Sequence, residues 1–331
     1  MLRTRFTELV GCRVPMQLAG MPGVCTPDLV GAVADAGALG MAAFAPGPPE
    51  HVAGELDGLA RRRRGVIGVN FLVPFLDRAC LEAAVTRARV VELFYGEPDP
   101  ALVSAIHRGG ALASWQVGSL EEARAAADAG CDVVVAQGTE AGGHVRGEIG
   151  MLPLLDQVLA ALELPVVAAG GIGSPRAMAA AIAAGADAVR VGTRFVASAE
   201  SGAHPSYVAA LVEARPEDTV LTDTFSVLWP DAPHRVLRSC IDAALALDDE
   251  VVGELVVGGS TMPLPRLGPM LPTTETTGRL EAMALYAGES VSGVHGVQTA
   301  VEIVEELAAG AEALLRRAGD VADPLGRSAS P

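Results

Sequence analysis

Lysine is absent from this 331-residue chain, so all 24 of its basic residues are arginines. Schiff-base chemistry is thereby excluded, and with it the lysine aldolases and the pyridoxal phosphate enzymes. The P-loop nucleotidases go too, because their phosphate motif requires Lys. No G-x-G-x-x-G follows a strand-like run, so a Rossmann nicotinamide site is not indicated. Cysteines are few and odd in number: Cys12, Cys25, Cys80, Cys131 and Cys240 contain no C-x-x-C pair. That pattern fits neither a disulfide framework nor a zinc site. No two histidines stand at metal-ligand spacing, and no metal is expected. Positive charge is also short, with 24 basic against 40 acidic residues and a net charge of −16, which disfavours nucleic acid and anionic membranes as partners. The one basic run, Arg61 to Arg64, closes a helical segment just before a strand and reads as a solvated helix end. Apolar runs stop well short of the roughly 18 residues of a membrane helix. The opening MLRTRFTELVGC has no apolar signal core, so a cytoplasmic protein is expected.

What is present is a regular alternation of short apolar runs with Ala-rich helical stretches. The strand-like runs are PMQLAG, LGMAAF, GVIGVNFLV, VVELFYG, ALASWQVG, CDVVVAQG, PVVAAGGI and AVRVGTRF. Parallel strands need helical crossovers, and eight such units can close on themselves, which predicts an α/β protein built on a (β/α)8 TIM barrel. A doubly wound open sheet is the other arrangement this pattern allows. The barrel is assigned to residues 1–215. Residues 216–331 are assigned to a smaller C-terminal α/β lid region, with a final helix packing back on the barrel. In that region TVLTDTFSVLWP is strand-like and RVLRSCIDAALAL helical, while the Pro/Gly/Thr-rich stretch 258–278 is a lid or a linker. GVQTAVEIVEELAAGAEALLRRAG is an amphipathic helix, and the tail DPLGRSASP is expected to be disordered.

In such a barrel, functional groups belong at the C-terminal ends of the strands. The seventh and eighth strands end in AAGGIGSP and VGTRF. Backbone N–H groups of Gly170, Gly171 and Gly192, the Thr193 hydroxyl, and a helix starting near Pro175 could together hold a phosphate. The plainer alternative is that these glycines only make tight turns. The sixth strand runs into QGTEAGGHVRG, residues 137–147, where His144 follows two glycines at the end of a valine run. A histidine there is a candidate for catalysis, the bland reading being a loop hydrogen bond.

Five stretches in order, QLAGMPGVCTPDLVGAVADAGALG, GVNFLVP, VAQGTEAGGHVRG, PVVAAGGIGSPRAMAAAIAAGADAVRVGTRFVAS and YAGES, resemble the FMN-dependent nitronate monooxygenases. The resemblance implies FMN, its phosphate in the Gly170/Gly171 and Gly192/Thr193 loops and its ring over the barrel mouth. It places Ala19, Gly20 and Met21 against the flavin, with Asn70, Gln116 and Gln137 around ring or ribityl chain, and Gly142 and Gly143 giving room beside them. His144 would be the catalytic residue, either a base toward a nitroalkane carbon or a group positioning an anionic nitronate. The implied reaction oxidises alkyl nitronates, and by extension nitroalkanes, with dioxygen to a carbonyl compound and nitrite. A homo-oligomer is left open. The chain departs from the family where Gln116 stands for a Lys of some relatives, Gln137 for an Asp, AGMPG for APM and a small residue, and Glu289 for a Gln. Two rival functions remain: an NAD(P)H-dependent flavin reductase of the enoyl-ACP or quinone reductase type, and a flavin-binding barrel without turnover. Glu140 reads as a loop anchor paired with Arg146 or a backbone amide. His204 reads as a helix-end residue, and His51, His107, His234 and His295 as surface positions.

Overall fold

The structure is a computed structural model that describes residues 2–62, 64–257 and 259–322. Its centre is a closed all-parallel barrel of β1 (Met16–Leu18), β2 (Leu39–Ala43), β3 (Val66–Leu72), β4 (Val90–Phe94), β5 (Leu112–Val117), β6 (Val133–Gln137), β8 (Val166–Ala169) and β9 (Ala188–Val191). A two-residue strand, β7 (Gly143–His144), lies outside it, in the loop after β6. Closure is made by β9 on β1, with Gln17 opposite Arg190. The open-sheet alternative is thereby set aside. β2, β4 and β6 are buried along their whole length. This is why they read as apolar runs without alternation: one face fills the barrel and the other lies under helices.

Helix starts follow local chemistry. Thr26, Asp77, Asp99, Ser119 and Ser174 each accept a backbone N–H in the first turn of the next helix, and Pro27, Pro100 and Pro175 occupy first-turn positions where no N–H is needed. These caps open α2 (Pro27–Asp35), α4 (Arg78–Val85), α5 (Pro100–Arg108), α6 (Leu120–Asp128) and α8 (Pro175–Ala183). The others are α1 (Arg5–Val10), α3 (Pro49–Arg62), α7 (Met151–Ala161), the single turn α9 (Thr193–Val196), α10 (Pro205–Glu213), α11 (Arg238–Leu245) and α12 (Ala300–Ala322).

The long α12 packs against α8 and α2. Gly310 makes the approach to α8 possible, because a Cβ there would lie 2.6 Å from Pro175 Cβ.

Two small antiparallel sheets are built mainly from the chain beyond residue 215. One runs β10 (Thr219–Thr222), β11 (His234–Leu237), β7, so a strand from beyond residue 215 is hydrogen-bonded to the loop of the sixth barrel strand. The start of RVLRSCIDAALAL is therefore strand, and only its continuation is helix α11. The other sheet is β13 (Ser260–Pro265), β12 (Val251–Val257), β14 (Thr276–Gly278), so the stretch read as a lid or a linker contributes two strands. Its Pro263 and Pro265 hid it: proline in a strand is tolerated at a sheet edge, and β13 is an edge. The tail DPLGRSASP lies outside the described residues. Among the described residues no helix is long and apolar enough to cross a membrane.

Candidate active site

The thirteen residues assigned to catalysis or cofactor binding from the sequence line one cleft at the C-terminal end of the barrel: Ala19, Gly20, Met21, Asn70, Gln116, Gln137, Gly142, Gly143, His144, Gly170, Gly171, Gly192 and Thr193. They lie in the last residues of barrel strands or in the loops that follow them, which is where barrel closure brings distant segments together. Gly170 and Gly171 have φ of 106° and 69°, the left-handed region that suits glycine. Thr193 accepts a hydrogen bond of 3.0 Å from the Gly288 N–H. This contact brings the YAGES segment to the cleft, with Tyr286 and Ser290 in its wall. Glu289 turns away from it, facing Arg235 at 3.3 Å.

A polar layer lies across the barrel beneath the cleft. Glu92, fully buried in β4, accepts from Gln17 Nε2 at 2.9 Å and Asn70 Nδ2 at 2.8 Å. It is also paired with Arg190 of β9. A second Arg190 nitrogen donates to Gln116 Oε1. Arg190 itself lines the cleft. A buried carboxylate requires such donors, since an unpaired ion in this setting would be strongly destabilising. Neither Glu92 nor Arg190 was singled out from the sequence, although each is a charged residue inside an otherwise apolar strand, VVELF and AVRV.

His144 sits in β7, held by the pairing of that strand with β11 and by a 3.0 Å bond from Gln137 Nε2 to its carbonyl. Trp229 stacks on its ring, with centroids 3.9 Å apart and planes at 27°. Tyr95 meets it edge-on at 5.9 Å, and Tyr286 and His234 lie at 5.5 and 5.4 Å. Its Nε2 is buried without a protein hydrogen bond. Burial, and secondarily the nearby His234, push the His144 pKa down to about 3. The imidazole is therefore neutral at neutral pH. A general base works best with a pKa near the operating pH, so this environment opposes the base role and leaves that of a neutral hydrogen-bonding group.

His234 was read as a surface position and is instead wholly buried. Its Nδ1 faces the Ala232 carbonyl at 2.8 Å, and its Nε2 accepts from the Phe225 N–H at 3.2 Å. The carbonyl can only accept and the amide can only donate, so the ring is a neutral Nδ1–H tautomer. It ties together the two ends of the loop that carries Trp229. Burial lowers its pKa as well.

These shifts have a sign. A histidine whose folded pKa lies below its ordinary value of about 6.5 binds more protons unfolded, so its stabilising contribution is complete above that pH. For His144 the contribution is lost as pH falls from about 6.5 toward about 3. The slope is at most about 1.4 kcal/mol per pH unit. We expect His144→Leu to lose less stability than wild type between pH 7 and pH 4, measured as the urea midpoint, with His234 sustaining a residual slope. Parallel curves for the two proteins would contradict the buried, neutral state.

The remaining assignments resolve individually. Glu140 accepts the Met151 N–H at 2.9 Å through both oxygens, anchoring the start of α7. Arg146 pairs with Glu122 and with Glu97 rather than with Glu140. His204 caps α10, accepting from the Ser206 N–H at 3.1 Å.

This geometry can be set beside that of known proteins. The chain is 34% identical over 239 residues, 72% of its length and 66% of the relative's, to (3aS,4S,5R,7aS)-5-hydroxy-7a-methyl-1-oxo-octahydro-1H-indene-4-carboxyl-CoA dehydrogenase of Rhodococcus jostii. Among solved structures it resembles FabK from Thermotoga maritima, with a TM-score of 0.78 and 28% identity over 97% of this chain and 100% of that one. It is also similar to nitroalkane oxidase from Streptomyces ansochromogenes, with a TM-score of 0.75 and 30% identity over 95% and 99%. Residues 50–310, which contain six of the eight barrel strands and the cleft residues from Asn70 to Ser290, match the family described as nitronate monooxygenase, and the chain belongs to that family.

Proposed function

We propose that this chain, by family a flavin-dependent oxidoreductase, binds FMN and oxidises alkyl nitronates with dioxygen. Two nitronates and one dioxygen give two carbonyl compounds and two nitrites, which balances atoms and charge. When bound, the flavin would supply the one-electron chemistry linking nitronate to dioxygen. The donor set fits such a group. The left-handed glycines Gly170 and Gly171, with Gly192 and Thr193, offer a cradle free of side-chain bulk for a single phosphate. Gln137 Oε1, His144 Nε2 and Arg190 Nε, three cleft-lining groups, have no protein hydrogen bond. The absence of a dinucleotide fingerprint favours FMN over FAD. We assign residues beyond 215, through Trp229, Leu271 and the Tyr286–Ser290 segment, to the wall that closes this site.

The observation that carries the choice of substrate is the burial of His144 in the cleft wall, stacked on Trp229 with its Nε2 unpartnered, an apolar setting that favours the neutral ring. An imidazole that stays neutral can donate a hydrogen bond to a nitronate oxygen, but it is a weak base toward a carbon-bound proton. The substrate is therefore the preformed anion. With FMN-loaded protein, oxygen uptake and nitrite release should be at least about 100-fold faster with a nitronate than with the freshly dissolved neutral nitroalkane, the low end of what general-base catalysis contributes. Equal rates would show that a competent base is present and would overturn this choice.

The second reading, an NAD(P)H-dependent flavin reductase, draws support from the likeness to the Rhodococcus dehydrogenase and to FabK. The dehydrogenase's name shows that a protein similar to this chain acts on an indene-carboxyl-CoA compound.

A further inference from the structure

We infer that the buried Glu92–Arg190 pair is an orienting clamp that fixes which polar atom Asn70 and Gln116 present to the cofactor. It rests on the FMN reading above. The orientation follows from chemistry alone. A guanidinium only donates, so the Gln116 atom facing Arg190 must be its carbonyl oxygen. A carboxylate only accepts, so the Asn70 atom facing Glu92 must be its NH2. Each amide lines the cleft, and each is left with its opposite end unengaged: an NH2 donor from Gln116 and a carbonyl acceptor from Asn70. Gln137 is fixed in the same way, because its NH2 donates to the His144 carbonyl and its Oε1 is left free.

These three amides thus offer one donor and two acceptors in an order they cannot reverse, and the unpartnered Arg190 Nε–H adds a second donor. Freely rotating amides would supply either polarity at no cost to themselves and would select nothing. An isoalloxazine edge, an N–H between two carbonyls, takes two donors and one acceptor, which the Gln116 NH2, the Arg190 Nε–H and the Asn70 carbonyl can supply. Glu92 does not line the cleft, so it acts through its neighbours and is a positioning residue. Gln17 supplies a further donor to the same carboxylate.

The test is FMN binding to apoprotein, followed by fluorescence quenching, with the flavin reduction potential and the thermal midpoint measured on the same proteins. Glu92→Gln removes the charge that sets the array, and should weaken FMN binding by about tenfold or more, the worth of a charge-assisted hydrogen bond, and shift the potential. A merely structural carboxylate would lower the thermal midpoint and leave both flavin readouts unchanged. Should Glu92→Gln fold poorly, Gln116→Glu keeps an acceptor for Arg190 and turns the donor NH2 into an anionic acceptor oxygen. It should retain the thermal midpoint and still lose about tenfold in FMN affinity. Wild-type affinity and potential in both variants would overturn the clamp alone. A wild-type protein that quenches no FMN fluorescence would overturn the cofactor reading and the clamp with it.

Discussion

Gly171→Asp is expected to strip FMN from the protein while leaving the barrel folded. The backbone of Gly171 is left-handed, with φ of 69°, a conformation that aspartate tolerates better than most side chains. A Cβ there would rest in ordinary contact, 3.5 Å from Glu140 Cβ. The left-handed backbone strains any L side chain there, by about 1–2 kcal/mol, but no clash is added and the barrel should still fold. The added carboxylate, however, enters the cradle assigned to the phosphate, where like charge and bulk both oppose binding. The loss should be at least about 100-fold in affinity, or roughly 2.7 kcal/mol. Gly171→Ala, which adds bulk without charge, should lose less. Purified Gly171→Asp that retains stoichiometric FMN would place the phosphate elsewhere.

His144→Leu should be nearly as damaging, but to turnover and not to cofactor content. Leucine fills similar space beside Trp229 and leaves the backbone pairing of β7 intact, so the local fold should persist. What disappears is one preorganised neutral donor in a buried setting, a loss that elsewhere costs about 10²–10³ in rate. Nitronate turnover should fall by that order with FMN content unchanged. The wild-type rate should also show no ionisation of His144 between pH 5 and 8, because the ring is already neutral. A variant with undiminished nitronate turnover would reduce His144 to a packing residue under Trp229.

The barrel was legible because its parallel strands are buried on both faces and its helices open on Ser, Thr, Asp or Pro. The cleft was legible because Gly170, Gly171, Gly192 and His144 interrupt apolar runs at strand ends. The polar layer was not. Glu92 and Arg190 are 98 residues apart, each a single charge in its own strand, and only closure of the barrel opposes them. His234 escaped for a different reason. HRVL follows Pro233 and begins a segment that continues as a helix, so nothing local marks it as a strand pairing with β7. Trp229 lies in an irregular loop bracketed by the left-handed Leu228 and Asp231. No periodicity could have placed its ring on His144.

The account turns on which electron donor this site accepts, and anaerobic reduction of the FMN-loaded protein tests that most directly. Flavin absorbance is followed after mixing with an alkyl nitronate in one experiment and with NADH or NADPH in the other. The nitronate should reduce the flavin rapidly, the pyridine nucleotides should not, and admitting air after the nitronate should restore the oxidised spectrum with release of nitrite. Rapid bleaching by NADH or NADPH, with no response to the nitronate, would contradict the assignment and establish the reductase in its place.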